Sequence, residues 1–429
     1  MQTPKLIDRT YKNSTCRPLG AVEKIIWLYD QVQPAHFALT AQIKGEFSPE
    51  QLKFALMQVQ QRHPLLRVGI ALDKTEQPWF VEEVASIPLR VLRRQSEQHW
   101  QQEVETEIST PFNWNQAPLV RAVLLHSLEM SELIIVYHHS IADGTSGAYL
   151  IRDILQAIAT PNTIFQPLPM PLSLEELMLG KADAALSPCP VGLQTSIFKP
   201  QASSLRPRLL AGSLTSETTA QLISRCRQEQ TSVHAAICAA FLLAIVRQSS
   251  SKQPQTLRCM TPINLQRHFM SATDAQFSLG ATAAKTGHTL TPDTSVWAVA
   301  QSVKQQLNQA METERVMAEI QQSQAWMSTN PSSTQVLQGF IEQQACDLAV
   351  TNLGRLAIAQ QFGQLQLRRI YGPSGMGPKE FSRILGVATV SDQLCFTLFC
   401  PESVMSSAAV DQLLQEAMQL IHAAITSIS

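Results

Sequence analysis

The segment Leu133-Ile-Ile-Val-Tyr-His138-His139-Ser-Ile-Ala-Asp143-Gly144 runs from an apolar strand signal into two histidines and closes on Asp-Gly. Successive residues of a strand point to opposite faces, so His138 and His139 cannot both ligate one ion while the strand persists. No metal is expected here. A histidine at the end of a buried strand suits general-base work: its position is rigid, its proton affinity lies near neutral pH, and partial burial suppresses the imidazolium form. Asp143, taken alone, is a loop aspartate capping its own turn, and Gly144 lets the backbone leave the strand tightly. A lone core histidine usually satisfies its nitrogens and does nothing else. Here the pair, the spacing to Asp-Gly and the strand context point to chemistry. The four fixed residues of HHxxxDG would arise by chance in roughly one chain in a thousand of this length.

Around this segment the pattern alternates. Leu119–Leu125 and Leu133–Tyr137 read as the strands of a hairpin. Gly147–Ile158 reads as a helix with Leu150, Ile151, Ile154, Leu155 and Ile158 inward. Upstream, Phe37–Ile43 is a strand, and Ser48-Pro49-Glu50-Gln51 caps a helix that buries Leu52, Ala55, Leu56 and Val59. Downstream, helices are expected at 217–228, 233–247, 296–311 and 408–424. Strands are expected at 257–260, 348–351, 365–371, 384–390 and 394–399, with Ser391-Asp392 turning between the last two. Gly372-Pro-Ser-Gly-Met-Gly377 follows a strand without opening a clear helix and reads as a loop. Eight of the 24 prolines fall between Pro161 and Pro207, which marks residues 161–210 as a linker holding one helical patch, Ser173–Leu179. The expected organisation is a subdomain over 1–160 carrying HHxxxDG, a Pro-rich linker or crossover over 161–210, and a second subdomain over 211–429. The fold class is α/β, or mixed α+β, with mixed sheets.

Composition sets limits. The 429 residues, 45% apolar, favour two cores over one. Thirty-three basic against 34 acidic residues leave a net charge of −1, so no global field draws nucleic acid or an anionic membrane. The N-terminus lacks the apolar core of a secretory signal. The longest apolar run, Val233–Val246, contains His234 and is too short to span about 30 Å of hydrocarbon. No integral membrane segment is expected. The eight cysteines are scattered with no CxxC pair and read as reduced, structural thiols of a cytoplasmic protein.

HHSIADG resembles the HHxxxDG motif of the superfamily that holds chloramphenicol acetyltransferases, peptide-synthetase condensation domains, plant BAHD acyltransferases and polyketide-associated acyltransferases. Further segments agree in order along almost the whole chain. Arg17–Glu23 is similar to the opening of those proteins, and Gln61-Arg62-His63-Pro64-Leu65-Leu66-Arg67 to their RHPxLR helix end. Thr261-Pro-Ile-Asn264-Leu265 is similar to their PVNLR strand. Thr351-Asn352-Leu353-Gly354-Arg355 is similar to the SNLGR element of alcohol acetyltransferases and the phthiocerol/phthiodiolone dimycocerosyl transferase group. No DFGWG motif marks the plant branch. The resemblance implies two chloramphenicol-acetyltransferase-like subdomains with a channel between them and the active histidine midway. Carried over by position, His139 is the base and His138 is structural. Asp143 turns from the substrate and holds the loop through an arginine. The family's arginine position is Gln266 here, so the partner is Arg267 next to it, another arginine, or a Gln266 hydrogen bond.

The implied activity is acyl transfer from a thioester, acyl-CoA or an acyl carrier protein with its phosphopantetheine arm, to a hydroxyl or amine of a lipid, polyketide or other secondary metabolite. No GxSxG elbow is present, so transfer proceeds without an acyl-enzyme. No tightly bound cofactor is implied. Thr351 and Asn352 are the oxyanion or channel candidates, and the plainer reading of Asn352 is a turn residue before glycine. Thirteen Met and 15 Phe suit either a greasy acyl channel or two ordinary cores. Two alternatives stay open: a stand-alone condensation-type domain making an amide with carrier-protein substrates, and a catalytically idle module that docks a carrier protein.

Overall fold

The hairpin around HHxxxDG sits in the middle of a six-stranded sheet. In spatial order its strands are Gln361–Phe362, Leu365–Gly375, His36–Lys44, Met130–His138, Val120–His126 and Leu89–Arg93. All neighbours are antiparallel except the last pair. The computed structural model describes residues 6–8, 15–178, 189–196, 206–249, 251–266, 277–375, 377 and 383–426. The two central strands are largely buried on both faces, and Leu133 to Tyr137 are fully buried. The helix Gly144–Ala159 covers one face with the predicted Leu150, Ile151, Ile154, Leu155 and Ile158, and Trp100, Val104 and Ile108 of the helix His99–Ser109 cover the other.

A second six-stranded sheet has the order Pro207–Ser213, Gln393–Pro401, Ile384–Val390, Leu348–Arg355, Gln255–Asn264, Ala281–Leu290. Its central strands run parallel. The helix Val233–Gln248 lies against it, apolar all round and buried from Ala235 to Val246, which fits a core helix rather than a membrane span. Helices Val296–Ala310 and Ser407–Thr426 close over it. Among the described residues no single helix is long and apolar enough to cross a membrane. The fold is mixed α/β, as the alternation predicts. Ser48 caps its helix with Gln51 reaching back, and Ser391-Asp392 turns with both residues at positive φ.

Three readings need correction. First, Gly372–Gly375 is not a loop: it extends the strand Leu365–Gly375, with Ser374 opposite Ala38 and Gly375 opposite Phe37 after a bulge. Glycine is required there. Gly372 has φ +109°, and a Cβ on it would lie 2.8 Å from the Ala38 carbonyl. That strand also belongs, by sequence, to the 211–429 segment, yet it pairs inside the N-terminal sheet. Second, the 161–210 segment is tied into the fold: Gln194–Ser196 enters a third, five-stranded sheet, pairing with Leu6–Asp8 and at Leu72. Third, the cysteines are not all free. Cys16 and Cys189, 173 residues apart, form a disulfide with a Cα separation of 5.6 Å, within the range a bridge needs. The six others are buried and lie outside any disulfide.

Candidate active site

His138 ends its strand and His139 begins the loop that follows. The two diverge as alternation requires. His138 is completely buried. Its Nδ1 meets the Ser140 hydroxyl at 2.7 Å and accepts from the Ser140 N–H at 3.2 Å. Its Nε2 lies 3.4 Å from Asp30 Oδ2. His139 is only partly buried. Its backbone N–H donates to the Ala35 carbonyl at 2.8 Å, and its ring packs edge-on against Phe37 at 4.9 Å.

The tautomer of His139 follows from its partner. Nδ1 lies 2.9 Å from the Ala142 carbonyl, and a carbonyl only accepts, so Nδ1 carries the proton and Nε2 keeps the lone pair. Burial holds the ring below the ordinary histidine value, against the opposing pull of that hydrogen bond and of Asp143. The result is a neutral imidazole at physiological pH whose basic nitrogen has no partner among the described residues, which is what a general base requires.

Asp143 caps the helix Gly144–Ala159. Its Oδ1 accepts from the Ser146 N–H at 2.8 Å and the Ser146 hydroxyl at 3.1 Å. Oδ2 accepts from the Asn264 amide and the Gly280 N–H, both at 3.1 Å. Ser146 adds a bond to the Ser278 carbonyl at 3.0 Å. The aspartate thus fastens the loop to the second sheet. Burial raises its carboxyl above the ordinary value, opposed by those donors. Among the described residues no arginine contacts it; Arg267 lies outside the described residues. Gln266 donates to the Ser278 hydroxyl at 2.7 Å, not to Asp143. Asn264, Gly280 and Ser146 were missed as partners. Ser146, three residues after an aspartate cap, carried a readable signal; Asn264, 121 residues away, carried none.

Gly144 differs from its expected role. It opens the helix with no positive φ, and the demand on it is space. A Cβ would lie 2.5 Å from Pro373 Cγ and 2.8 Å from Leu353 Cδ2. Leu353, in the strand Leu348–Arg355, is therefore the residue of the Thr351–Arg355 element that reaches the motif. Asn352 accepts from the Gly354 N–H at 2.7 Å, an Asx turn. It lines a separate cavity of about 630 Å³ with His234, Thr261, Ile263, Met311 and Leu394, and His139 does not line it. Thr351 is half-buried beside it in the strand, opposite Gly386. No phenylalanine lines this cavity either, and many of them fill the cores.

The described thiols offer no alternative nucleophile. Cys226, Cys346 and Cys395 are each pushed up to about 12 by burial, and Cys400 to about 11. Among the described residues no group of three or more His, Cys, Asp or Glu could hold a metal. Two of the segments similar to the family serve as scaffold: Arg17 forms a buried bidentate pair with Glu23, and His63 meets Asp153 at 2.9 Å.

Two family models match this chain. The family model for condensation domains matches residues 22–162. That for the phthiocerol/phthiodiolone dimycocerosyl transferase C-terminus matches 203–414. Polyketide synthase associated protein 5 from Mycobacterium tuberculosis shares the fold at 17% identity and a TM-score of 0.67, with 98% of this chain and 100% of that one covered. Trichothecene 15-O-acetyltransferase from Fusarium sporotrichioides does so at 11% identity and a TM-score of 0.69, covering 99% and 98%. In sequence, residues of this chain are 27% identical to surfactin synthase subunit 2 of Bacillus subtilis (strain 168) over 142 residues. That match covers 32% of this chain and 4% of the synthase.

Proposed function

We propose that this chain, which matches the condensation-domain model over 22–162 and the phthiocerol/phthiodiolone dimycocerosyl transferase C-terminus model over 203–414, moves an acyl group from a thioester, acyl-CoA or an acyl carrier protein, to a hydroxyl of a lipid, polyketide or other secondary metabolite. An amine is the second acceptor class. The observation that carries this reading is the tautomer of His139, proton on Nδ1 and lone pair on Nε2, in a ring that burial keeps neutral.

His139 Nε2 takes the proton of the acceptor hydroxyl as its oxygen attacks the thioester carbonyl. The Ala142 carbonyl holds the Nδ1 proton throughout and supports the transient imidazolium. The tetrahedral adduct collapses, the C–S bond breaks, and the proton held on Nε2 passes to the departing sulfur. The products are an ester and a free thiol. Holding donor and acceptor together supplies the orientation term, which can exceed that of the base. With the six thiols outside the disulfide buried, direct transfer without an acyl-enzyme is the simpler course. His138, enclosed in the core, serves the scaffold, and Asp143 holds the loop.

The match of residues 22–162 to condensation domains supports a second reading, amide formation on carrier-protein substrates in trans. One experiment addresses both. The protein is incubated with acetyl, hexanoyl and decanoyl thioesters of CoA and of a carrier protein, each with alcohol and amine acceptors, and free thiol is followed. Acceptor-dependent thiol release that His139→Ala abolishes is the expected result. Release with amines on carrier-protein donors alone favours the condensation reading. No acceptor-dependent release on any pair favours an idle docking module.

A further inference from the structure

Asp30 is placed where a carboxylate is least welcome. It is the last residue of the helix Ala21–Asp30, where the macrodipole opposes negative charge, and its side chain is 1% exposed. A buried charge at a helix C-terminus persists only where its partners outweigh both penalties. Its partners are the two ends of the catalytic strand pair. Oδ1 accepts from the Ala35 N–H at 2.8 Å, and the carbonyl of that same Ala35 accepts from the His139 N–H at 2.8 Å. Oδ2 faces His138 Nε2 at 3.4 Å. Because the Ser140 N–H donates to His138 Nδ1, the His138 proton resides on Nε2, which makes no hydrogen bond to a described residue and faces the Asp30 carboxylate. Burial works to raise the Asp30 carboxyl, yet the His138 ring and the Ala35 N–H hold it below its ordinary value, so it stays ionised.

We infer that Asp30 is a positioning residue for the His139 base. One oxygen fixes the Ala35 residue from which the His139 backbone hangs, and the other fixes the His138 ring and, through it, the Ser140 start of the loop. The carboxylate touches no reacting atom. It sets where Nε2 of His139 points by holding both residues on either side of the strand end. This inference rests on His139 acting as the base in acyl transfer.

The test compares Asp30→Ala and Asp30→Asn with wild type and His139→Ala. Asn keeps an oxygen for the Ala35 N–H but loses the negative charge that faces His138, whereas Ala loses both. For Asp30→Ala the expected result is a kcat lower by about 10–100-fold, with both KM values within about twofold, because positioning acts on the transition state and not on uniform binding. Asp30→Asn should recover much of that loss and retain a deficit of roughly threefold to tenfold. If Asp30→Ala does not fold, the Asn variant carries the test alone. Independently of turnover, ¹⁵N-histidine NMR should show His138 as the Nε2–H tautomer in wild type and not in Asp30→Asn, with His139 moving from a pure Nδ1–H signature toward a mixture. Unchanged kcat in a folded variant, a rise in KM at constant kcat, or an unmoved His139 signature would each overturn the inference. Absence of thiol release from wild type would instead defeat the proposed function, and the NMR result would still decide the role of Asp30.

Discussion

His139 and His234 are both histidines that burial keeps neutral, one at the end of a strand in the first sheet, the other at the start of the core helix beside the second. They differ in which nitrogen is committed. His139 spends Nδ1 on the Ala142 carbonyl and leaves Nε2 open. His234 spends Nε2 on the Thr261 hydroxyl at 3.0 Å, with the Cys238 sulfur at 3.4 Å. His234 is held at about 4 by burial, yet its Nε2 already has partners. A depressed pKa alone therefore does not single out a candidate base; the proposed base is the ring whose Nε2 has no partner among the described residues.

The largest effect expected from this contrast is kinetic. His139→Ala should lower kcat/KM by about 10²–10⁴-fold, while His234→Ala stays within about tenfold; thiol-release assays on both variants decide it. A large loss at His234 with little at His139 would reverse the comparison.

The second effect is on stability. Asp143→Ala removes the acceptor of four donors, one in the second sheet (Asn264) and one just before its strand Ala281–Leu290 (Gly280), and should cost about 2–4 kcal/mol through the lost cap and the stranded donors. His139→Ala should cost less, so differential scanning calorimetry should rank the melting points Asp143→Ala below His139→Ala. Equal melting points would move Asp143 from loop anchor toward direct chemistry.

Gly144→Ala is expected to follow, at about 1–3 kcal/mol, since the added methyl must displace Pro373 or Leu353. Urea unfolding checks it, and Leu353→Ala in the same chain should relieve part of the loss.

The smallest effect is the pH dependence. Because burial lowers the His139 pKa, the acid limb of kcat/KM should fall below 6.5, with the rate flat through neutrality. Stability has its own window. His36 and His234 sit at about 4 in the fold against 6.5 in the unfolded chain. The unfolded state then binds more protons, and stability falls as pH drops from about 6.5 toward 4, with no further loss from these two groups below that. Melting points taken across pH 4–8 measure this, and a flat profile would show that neither ring is held neutral.

Much of the site was legible from local pattern. The apolar run of Leu133–Tyr137 and the motif after it placed the strand end, and Ser48 with Gln51 marked a helix start because a cap acts within one turn. Gly372–Gly375 was misread because glycine and proline normally break a strand. Only the approach of Ala38 makes them necessary there. The arginine expected for Asp143 followed from position in a motif, while the donors found on it came from a residue one turn away and from two residues more than 120 positions distant.

By itself the sequence determined the alternation of helices and strands, the apolar character of the Val233–Gln248 helix and the place of the HHxxxDG motif at a strand end. Each depends on periodicity or chemistry confined to a dozen residues. The tertiary structure alone decided that the strand Leu365–Gly375 pairs in the first sheet, that Cys16 meets Cys189, that Asp143 is held by Asn264 and Gly280, and that Asp30 underlies both histidines. Those contacts close loops whose entropic cost grows only slowly with length, so separation along the chain gives no sign of which distant partners will meet. The packing of the two sheets selects them.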